Sequence, residues 1–512
     1  MAADNRCPGR CNIAFDFWNV VYLWLEIWNK VYTSSSSNTG NMSPYIVSYI
    51  RQNGHPTSTT AETVTWIFAL AVLGQSLSMY FGGVIELKLG TRLTALLGSL
   101  MMSAGVALSY FTIASFWFLL ITYGFLFGFG VGIAYPIPMA CAIRWLPKQR
   151  GFATGFIVAG FGLGAFIFNQ VQTAFINPNG IEPAGDADET ERYFEDPEVL
   201  KKTKQCFLFL AALYAILQVI SAFFLVNPKS HNVTEESHSS REMTSITLSK
   251  NPPKADKVSS LVLQSKSKAS NTSIKIEREK PVHFKPKQLL FQKNFYLLWV
   301  MFLFSGQGVV TVSTLYKAYG FGFITSDRFL AVTGAIGSLS NALGRILWSS
   351  LADRLSFRLT AMAMMTMMTA LLLSFSATSL VGKEMFLTWI ILLFFCIGGV
   401  YSLFPIATVR AFGSKYFASN YGLVFSSQAI GALVGAFVPT ILAKSLGYIG
   451  VWYISAGLVY IAVLVTYCCS MRVPEQSLEK TIDAAHFPRQ ASSTRLGLTV
   501  RGSPSLFVKT SV

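Results

Sequence analysis

The chain has 512 residues, of which 52% are hydrophobic, 14% aromatic and only 13% charged. Soluble globular proteins carry about twice that charged fraction, so the composition indicates an integral membrane protein and excludes a string of soluble domains. The formal net charge of +16 would suggest a nucleic-acid partner in a soluble protein. In a membrane protein such charge sets the orientation of the loops, and we expect no nucleic-acid partner.

The residues that usually carry chemistry are missing from the apolar part of the sequence. All five histidines lie outside the apolar runs, which argues against an intramembrane metal site or proton relay built on imidazole. The motifs GxxxxGK[ST], HExxH and GxSxG do not occur, and the seven cysteines predict no disulfide framework. We therefore expect no enzyme activity, no metal and no cofactor.

Eleven apolar runs are each long enough to cross a hydrocarbon layer of about 30 Å. These predicted spans 2 to 12 are residues 64–85, 93–113, 116–140, 152–176, 206–226, 295–317, 329–350, 359–380, 386–408, 418–443 and 449–470. A first span before residue 50 is irregular, because residues 15–31 include three charges and a serine run at 34–37 follows. The sequence therefore predicts an all-α integral membrane protein with twelve transmembrane helices.

Two polar segments divide the chain. Residues 227–288 are rich in Ser and Lys and show no apolar periodicity, which predicts a disordered cytosolic linker. The linker separates an N-terminal bundle of six helices, residues 1–226, from a C-terminal bundle of six, residues 289–470. Residues 471–512 form a basic cytosolic tail that we also expect to be unstructured.

Alternate loops differ in charge. One set, which includes the linker and the tail, carries Lys and Arg, whereas the loop 177–198 has eight acidic residues and a single Arg192. The positive-inside rule places the basic loops and both termini in the cytosol, which requires an even number of spans and so supports span 1. We expect a multi-pass protein of the plasma membrane and not of an organelle.

The two halves of the sequence repeat each other. A shift of 266 residues superimposes four pairs: Lys88 on Arg354, Arg92 on Arg358, Tyr135 on Tyr401 and Arg144 on Arg410. Parallel six-span repeats are typical of transporters whose substrate site lies near the bilayer midplane, between two pseudo-symmetric bundles that rock about it. The structural alternative is a duplicated helical scaffold that transports nothing.

Two motifs carry a family resemblance. The segment from Asp353 to Arg358, DRLSFR, resembles the DRxGR loop motif of the major facilitator superfamily, with Ser356 in place of its glycine. The first-half copy has Leu87 where the acid should stand, and Glu86 one place earlier. The resemblance implies charged contacts to neighbouring helix ends that hold one conformation shut. The residues that would make them are Lys88, Arg92, Asp353, Arg354 and Arg358.

Within that superfamily, the sequences RWLPKQRGFATG at 144–155 and AGFGLG at 159–164 resemble the signature of the monocarboxylate and oxalate/formate transporter branch. The similarity covers roughly residues 40–471. It implies the major facilitator fold, a small organic anion as substrate, and an arginine of span 8 that binds this anion.

Arg345 is the one unambiguous charge well inside a span. It precedes Arg354 by nine residues, or about 13.5 Å of helix, which places it near the midplane. An intramembrane arginine costs at least about 2.5 kcal/mol and is expected to face a cavity, where it can bind a carboxylate through two parallel hydrogen bonds. The alternative is an anchor that reaches back to the interface. Resemblance to the branch supports the binding role.

Four further residues belong to the predicted site. Tyr135 and Tyr401 lie at the depth of Arg345 and could donate hydrogen bonds to the anion, or only pack against neighbouring helices. Gln75 and Gln428 lie one or two turns further out, where hydrogen bonding between helices is an equal explanation.

Two substitutions relative to the branch bear on the substrate. Oxalate/formate members tend to have a Lys at the place of Gln428, so this site keeps one cation and favours a monovalent anion over oxalate. Proton-coupled members have an Asp at the place of Asn341, four residues before the arginine. With Asn341 in the site, exchange or facilitated diffusion becomes as plausible as proton coupling.

The sequence thus predicts a secondary transporter that moves small monocarboxylates across the bilayer by alternating access. The alternative function is a transporter-like receptor that binds a small organic anion without turnover. A PDZ-domain protein is a further candidate partner, because the last residues are Thr510, Ser511 and Val512.

Overall fold

The computed structural model describes residues 42–468, apart from 60, 148, 182–192, 226–282 and 325. The predicted tail, the terminal Thr510-Ser511-Val512 and the irregular residues 15–31 lie outside the described residues. All the long elements of secondary structure among the described residues are helices. Eight of the described helices are long and apolar enough to cross a membrane: Trp66–Thr112, Phe116–Trp145, Pro197–Ala222, Lys293–Phe321, Phe329–Arg354, Phe357–Val381, Lys383–Phe412 and Ser445–Cys468.

The first half begins with the helix Ser43–Asn53, the described part of span 1. Ala61–Thr112 contains spans 2 and 3, which are separated at Gly90, where a φ of +79° breaks the helix. Only a residue without a Cβ adopts that backbone readily. Span 4 covers Phe116–Trp145 and includes a π-helical stretch, Leu120–Leu126. Spans 5 and 6 are Arg150–Ile176 and Pro197–Phe224, and Asp196 caps the second by accepting from the Glu198 and Val199 amides.

The second half repeats this order. Spans 7 to 10 are the helices Lys293–Phe321, Asp327–Arg354, Phe357–Ser374 with a short continuation to Val381, and Lys383–Phe412. Span 11 begins as Phe417–Phe425 and continues into Ser427–Cys468, where a φ of +67° at Gly447 separates it from span 12. The predicted spans 2 to 12 are therefore confirmed as helices, within five residues at each end except that the helix of span 6 begins at Pro197, nine residues before the predicted start.

The predicted linker is too long at its C-terminal end. Residues 283–288, assigned to it from composition, lie in the folded part, and Pro286–Leu289 forms a short helix. Leu289 is fully buried, and the Phe284 amide donates to the Phe412 carbonyl over 3.1 Å. Composition missed this because Lys285 and Lys287, which precede the buried Leu289, resemble the polar residues of the linker.

The second-half loop motif shows how Ser356 replaces a glycine. Ser356 is extended, with φ −155°, and its hydroxyl accepts a hydrogen bond from the Leu359 amide over 3.2 Å. It is the N-cap of span 9, a role that serine fills well. The two copies therefore turn by different means, a left-handed glycine at Gly90 and a capping serine at Ser356.

Candidate functional site

Arg345 of span 8 is fully buried and binds groups from both halves of the molecule. Its Nε donates to Oδ1 of Asn341 over 2.7 Å, and its Nη1 donates to the Val158 carbonyl of span 5 over 3.2 Å. Its Cζ also lies 5.4 Å from the ring centroid of Tyr401, a cation–π contact. Asn341 precedes Arg345 by one helical turn, away from the Arg354 end. The contacts thus hold the guanidinium inside the protein and not at the interface nearest to Arg354.

The predicted tyrosines approach Arg345 from opposite halves. The ring face of Tyr401, in span 10, makes the cation–π contact with Arg345. The same ring packs edge-on against Phe302 of span 7, with 6.2 Å between the ring centroids. Tyr135 of span 4 is 1% exposed, and its hydroxyl interacts with the charge of Arg345 and with Tyr421. The structure therefore brings together Arg345, Asn341, Tyr135 and Tyr401, four of the candidate residues named from the sequence.

Sequence reasoning missed Tyr421 of span 11. Its ring stacks on Tyr135 at 6.3 Å and on Phe417 at 5.7 Å, and it meets Phe425 at 6.0 Å. Phe417, Tyr421 and Phe425 are spaced by four residues, so they lie on one helix face. That spacing was the available signal. Tyr421 joins the two halves through its stacking on Tyr135.

The two glutamines are buried, but their surroundings differ from those of Arg345. The Gln428 Nε2 donates to the Phe302 carbonyl over 2.8 Å and connects spans 11 and 7. The backbone of Gln75 lies against Gly132, where an added Cβ would be 2.2 Å from the Gln75 carbonyl oxygen. Gln75 therefore lies at a close approach of spans 2 and 4. For Gln428 the structure displays the helix-to-helix hydrogen bond that was the alternative to substrate binding.

The second-half loop motif connects the two halves. The Asp353 carboxylate accepts from the Gly151 and Phe152 amides, each over 2.9 Å, at the beginning of span 5. It also forms an ion pair with Arg410 at 3.0 Å. Amides at a helix N-terminus are unpaired within the helix and carry partial positive charge, so an anion is favoured there. Asp353 therefore holds span 8 to span 5.

The first-half motif has an ion pair of its own. Glu86 pairs with Arg144 at 2.8 Å, so the displaced acid still reaches the arginine that corresponds to Arg410. Both residues belong to the same half. The remaining motif arginines close each bundle, because Arg92 donates to the Leu225 carbonyl over 2.7 Å and Arg358 donates to the Tyr467 carbonyl. Lys88 and Arg354 are exposed at the corners of the motif.

Comparison with known proteins agrees with this arrangement. A profile of the Major Facilitator Superfamily matches residues 31–436 and 330–508. The chain is 27% identical over 395 residues to apicoplast pyruvate carrier 1 of Toxoplasma gondii, covering 75% of this chain and 70% of that protein. It is 24% identical over 396 residues to the oxalate:formate antiporter of Oxalobacter formigenes, covering 77% and 79%.

Solved structures share the fold. The proton:xylose symporter XylE aligns with a TM-score of 0.59 and 13% sequence identity, covering 90% of this chain and 96% of that chain. At this identity the match concerns the fold alone, which is the twelve-helix arrangement of two pseudo-symmetric bundles. The relatives and the fold are those of transporters, not of enzymes.

Proposed function

Because the chain belongs to the Major Facilitator Superfamily of secondary transporters, we propose that it moves small monocarboxylate anions across the membrane by alternating access. Arg345 is the group that binds the carboxylate in this proposal. Tyr135 and Tyr401 donate hydrogen bonds and wall the site. Both the pyruvate carrier and the oxalate:formate antiporter among its relatives carry carboxylates by name, which supports the substrate class.

The observation that carries the proposal is the chemistry around Arg345. A fully buried guanidinium contacts an amide oxygen, a backbone carbonyl and an aromatic face. An arginine inside a span is expected to face a cavity and to serve as a binding group, so the site favours an anionic ligand. A carboxylate fits best, because its two oxygens match the guanidinium fork.

The same site argues for one carboxylate and not two. A dianion needs a second cation, and the residue at the corresponding place of span 11 is the amide Gln428. A second carboxylate would then be desolvated without a partner. The aromatic rings of Phe302, Tyr401 and Phe425, which contact each other through Phe302, suit the apolar end of a short-chain acid.

Removing the cation tests the site. Arg345→Gln in proteoliposomes should lower the uptake of labelled pyruvate, lactate or formate by at least about thirtyfold, since loss of a buried ion-pair partner costs about 2–5 kcal/mol. Uptake by Arg345→Lys should lie between that of the wild type and that of Arg345→Gln, because lysine keeps the positive charge but lacks the planar guanidinium that pairs with both carboxylate oxygens. Lys383→Gln, which removes an exposed cation, is the matched control.

Unchanged uptake by Arg345→Gln, with a normally folded protein, would refute the site. Saturable binding of the anion without flux by the wild type would favour the receptor alternative.

The coupling follows from Asn341. Its side chain is neutral at every pH, so the pair that it forms with Arg345 has no proton to exchange, and exchange or facilitated diffusion stands beside proton coupling in this proposal. Asn341→Asp puts a carboxylate beside the Arg345 Nε, where it competes with the substrate. Uptake of pyruvate should therefore fall several-fold at neutral pH and recover as protonation neutralises the new acid. Asn341→Ser is the neutral control. A pH profile of Asn341→Asp identical to that of the wild type would contradict this role.

The orientation is part of the proposal. The basic loops, the linker and both termini face the cytosol in it, and the sequons at Asn232 and Asn271 then stay unglycosylated. Glycan at either asparagine would overturn the topology. The plasma membrane as location and the PDZ ligand at the C-terminus stay predictions, which surface biotinylation and a pull-down with the C-terminal peptide would test.

A further inference from the structure

The segment that leads into span 7 carries a concentrated positive charge. We call residues 283–293 the entry segment. Lys285, Lys287 and Lys293 are all exposed. The sequence contains no acidic residue between 283 and 324, so these charges are not compensated from their own element.

Apolar side chains project from the same segment. Phe291 is 88% exposed and Leu290 is 43% exposed, whereas the adjacent Leu289 is fully buried. Phe291 lies between Lys287 and Lys293, just before the helix of span 7 begins. An aromatic side chain at the start of a span, flanked by lysines, has the chemistry of the boundary between headgroups and acyl chains.

The entry segment is fixed to the body of the protein. The Phe284 amide donates to the Phe412 carbonyl over 3.1 Å, and the Asn420 Nδ2 donates to the Phe284 carbonyl over 3.0 Å. At its other end, the Tyr296 hydroxyl donates to the Leu290 carbonyl over 2.9 Å. These bonds tie it to spans 10, 11 and 7, so its lysines and Phe291 are presented in one arrangement.

We infer that the entry segment is a docking site for anionic phospholipids of the adjacent leaflet. Lys285, Lys287 and Lys293 bind the headgroups, and Phe291 and Leu290 insert among the acyl chains. Charge near a membrane surface and buried apolar area add in such sites. A second lysine group, Lys201, Lys202 and Lys204, begins span 6 but has acidic neighbours, Glu195, Asp196 and Glu198. Glu277 and Glu279 precede the entry segment, but they alternate with Lys275, Arg278 and Lys280, so the sequence around the entry segment keeps a net positive charge that the second group lacks.

The test compares these two lysine groups in the full-length protein. Native mass spectrometry of protein from micelles that contain phosphatidylserine and phosphatidylcholine would count the lipids retained. The wild type should retain phosphatidylserine in preference. Replacing Lys285, Lys287 and Lys293 by Gln should weaken phosphatidylserine binding on the order of a hundredfold. Replacing Lys201, Lys202 and Lys204 by Gln removes the same charge and should leave binding unchanged.

Two further measurements separate the parts of the inference. Phe291→Ser should lower retention of phosphatidylserine, and soluble glycerophosphoserine should fail to displace the lipid, because the headgroup alone lacks the inserted chains. Displacement by glycerophosphoserine would indicate an ordinary phosphate site and overturn the docking role. So would equal phosphatidylserine retention by the wild type and the entry-segment variant. If that variant fails to fold, raising the salt concentration on the wild type must weaken retention, because salt screens the lysine charges.

Discussion

Two seams join the halves of the molecule, and they differ in chemistry. The charged seam lies between spans 5 and 8, where the backbone of the first half binds the side chains of Arg345 and Asp353. The neutral seam lies between spans 2 and 11, where Gly83 lies against Ser419 and Gly422 against the Tyr80 backbone. The repeat relates one seam to the other, so equivalent helix contacts join the halves through charged side chains at one seam and through close backbone packing at the other.

The two charged residues of the second half in the charged seam correspond to uncharged residues of the first half. The residue that matches Arg345 is Met79, which is buried and apolar, and the residue that matches Asp353 is Leu87, which is 51% exposed. The second half thus supplies both the charge that binds the substrate in our proposal and the acid that crosses to the other half. The first half contributes backbone groups to these contacts: the Val158 carbonyl, and the amides of Gly151 and Phe152. The positions of these groups follow from the helix itself.

The largest expected effect concerns the charged seam. Asp353→Asn removes the charge from three bonds, two to span 5 amides and one to Arg410. Asparagine keeps neutral hydrogen bonds, which contribute about 1 kcal/mol each against about 1.5–3 kcal/mol for charged ones, and only the two bonds to span 5 join the halves, so we expect the closed arrangement to lose roughly 2–3 kcal/mol. Spin labels at the exposed Lys88 and Lys287, one in each half, should report longer distances in the variant. An unchanged distance distribution would mean that the charged seam does not hold the halves together.

A steric change at the neutral seam comes second. A Cβ on Gly83 would lie 2.2 Å from the Ser419 amide nitrogen, so Gly83→Ala forces spans 2 and 11 apart. Overpacking of this kind costs about 1–3 kcal/mol. The same pair of labels should separate, and added salt should not change the effect, because no charge is involved. Gly457→Ala is the control, since nothing lies within 4 Å of its added Cβ. If the two glycine variants behave alike, the neutral seam is not closely packed in solution.

Most of the fold could be predicted because hydropathy and the 266-residue repeat are properties of the sequence. Arg345 could be proposed as the anion-binding group because a lone charge in an apolar run has few explanations. Tyr421 was missed because an aromatic residue near a span end has many, and only its stacking on Tyr135 across the halves distinguishes it. For Gln428, polarity alone could not separate substrate binding from its bond to the Phe302 carbonyl. The difference between the two seams depends on the contacts of span 5 with span 8 and of span 2 with span 11. Hydropathy and the repeat do not reveal which spans are in contact.

Glu86→Gln is the smallest expected effect and the sharpest test of the asymmetry. The displaced acid raised doubt about the first loop motif, yet Glu86 does reach Arg144 at 2.8 Å. Because both residues belong to the first half, losing this pair should weaken that bundle by about 1 kcal/mol and leave the distance between the halves unchanged. A lower melting temperature with unaltered label distances is the expected pair of results. If Glu86→Gln instead separates the labels as far as Asp353→Asn does, the first copy also holds the halves together, and the two seams are equivalent after all.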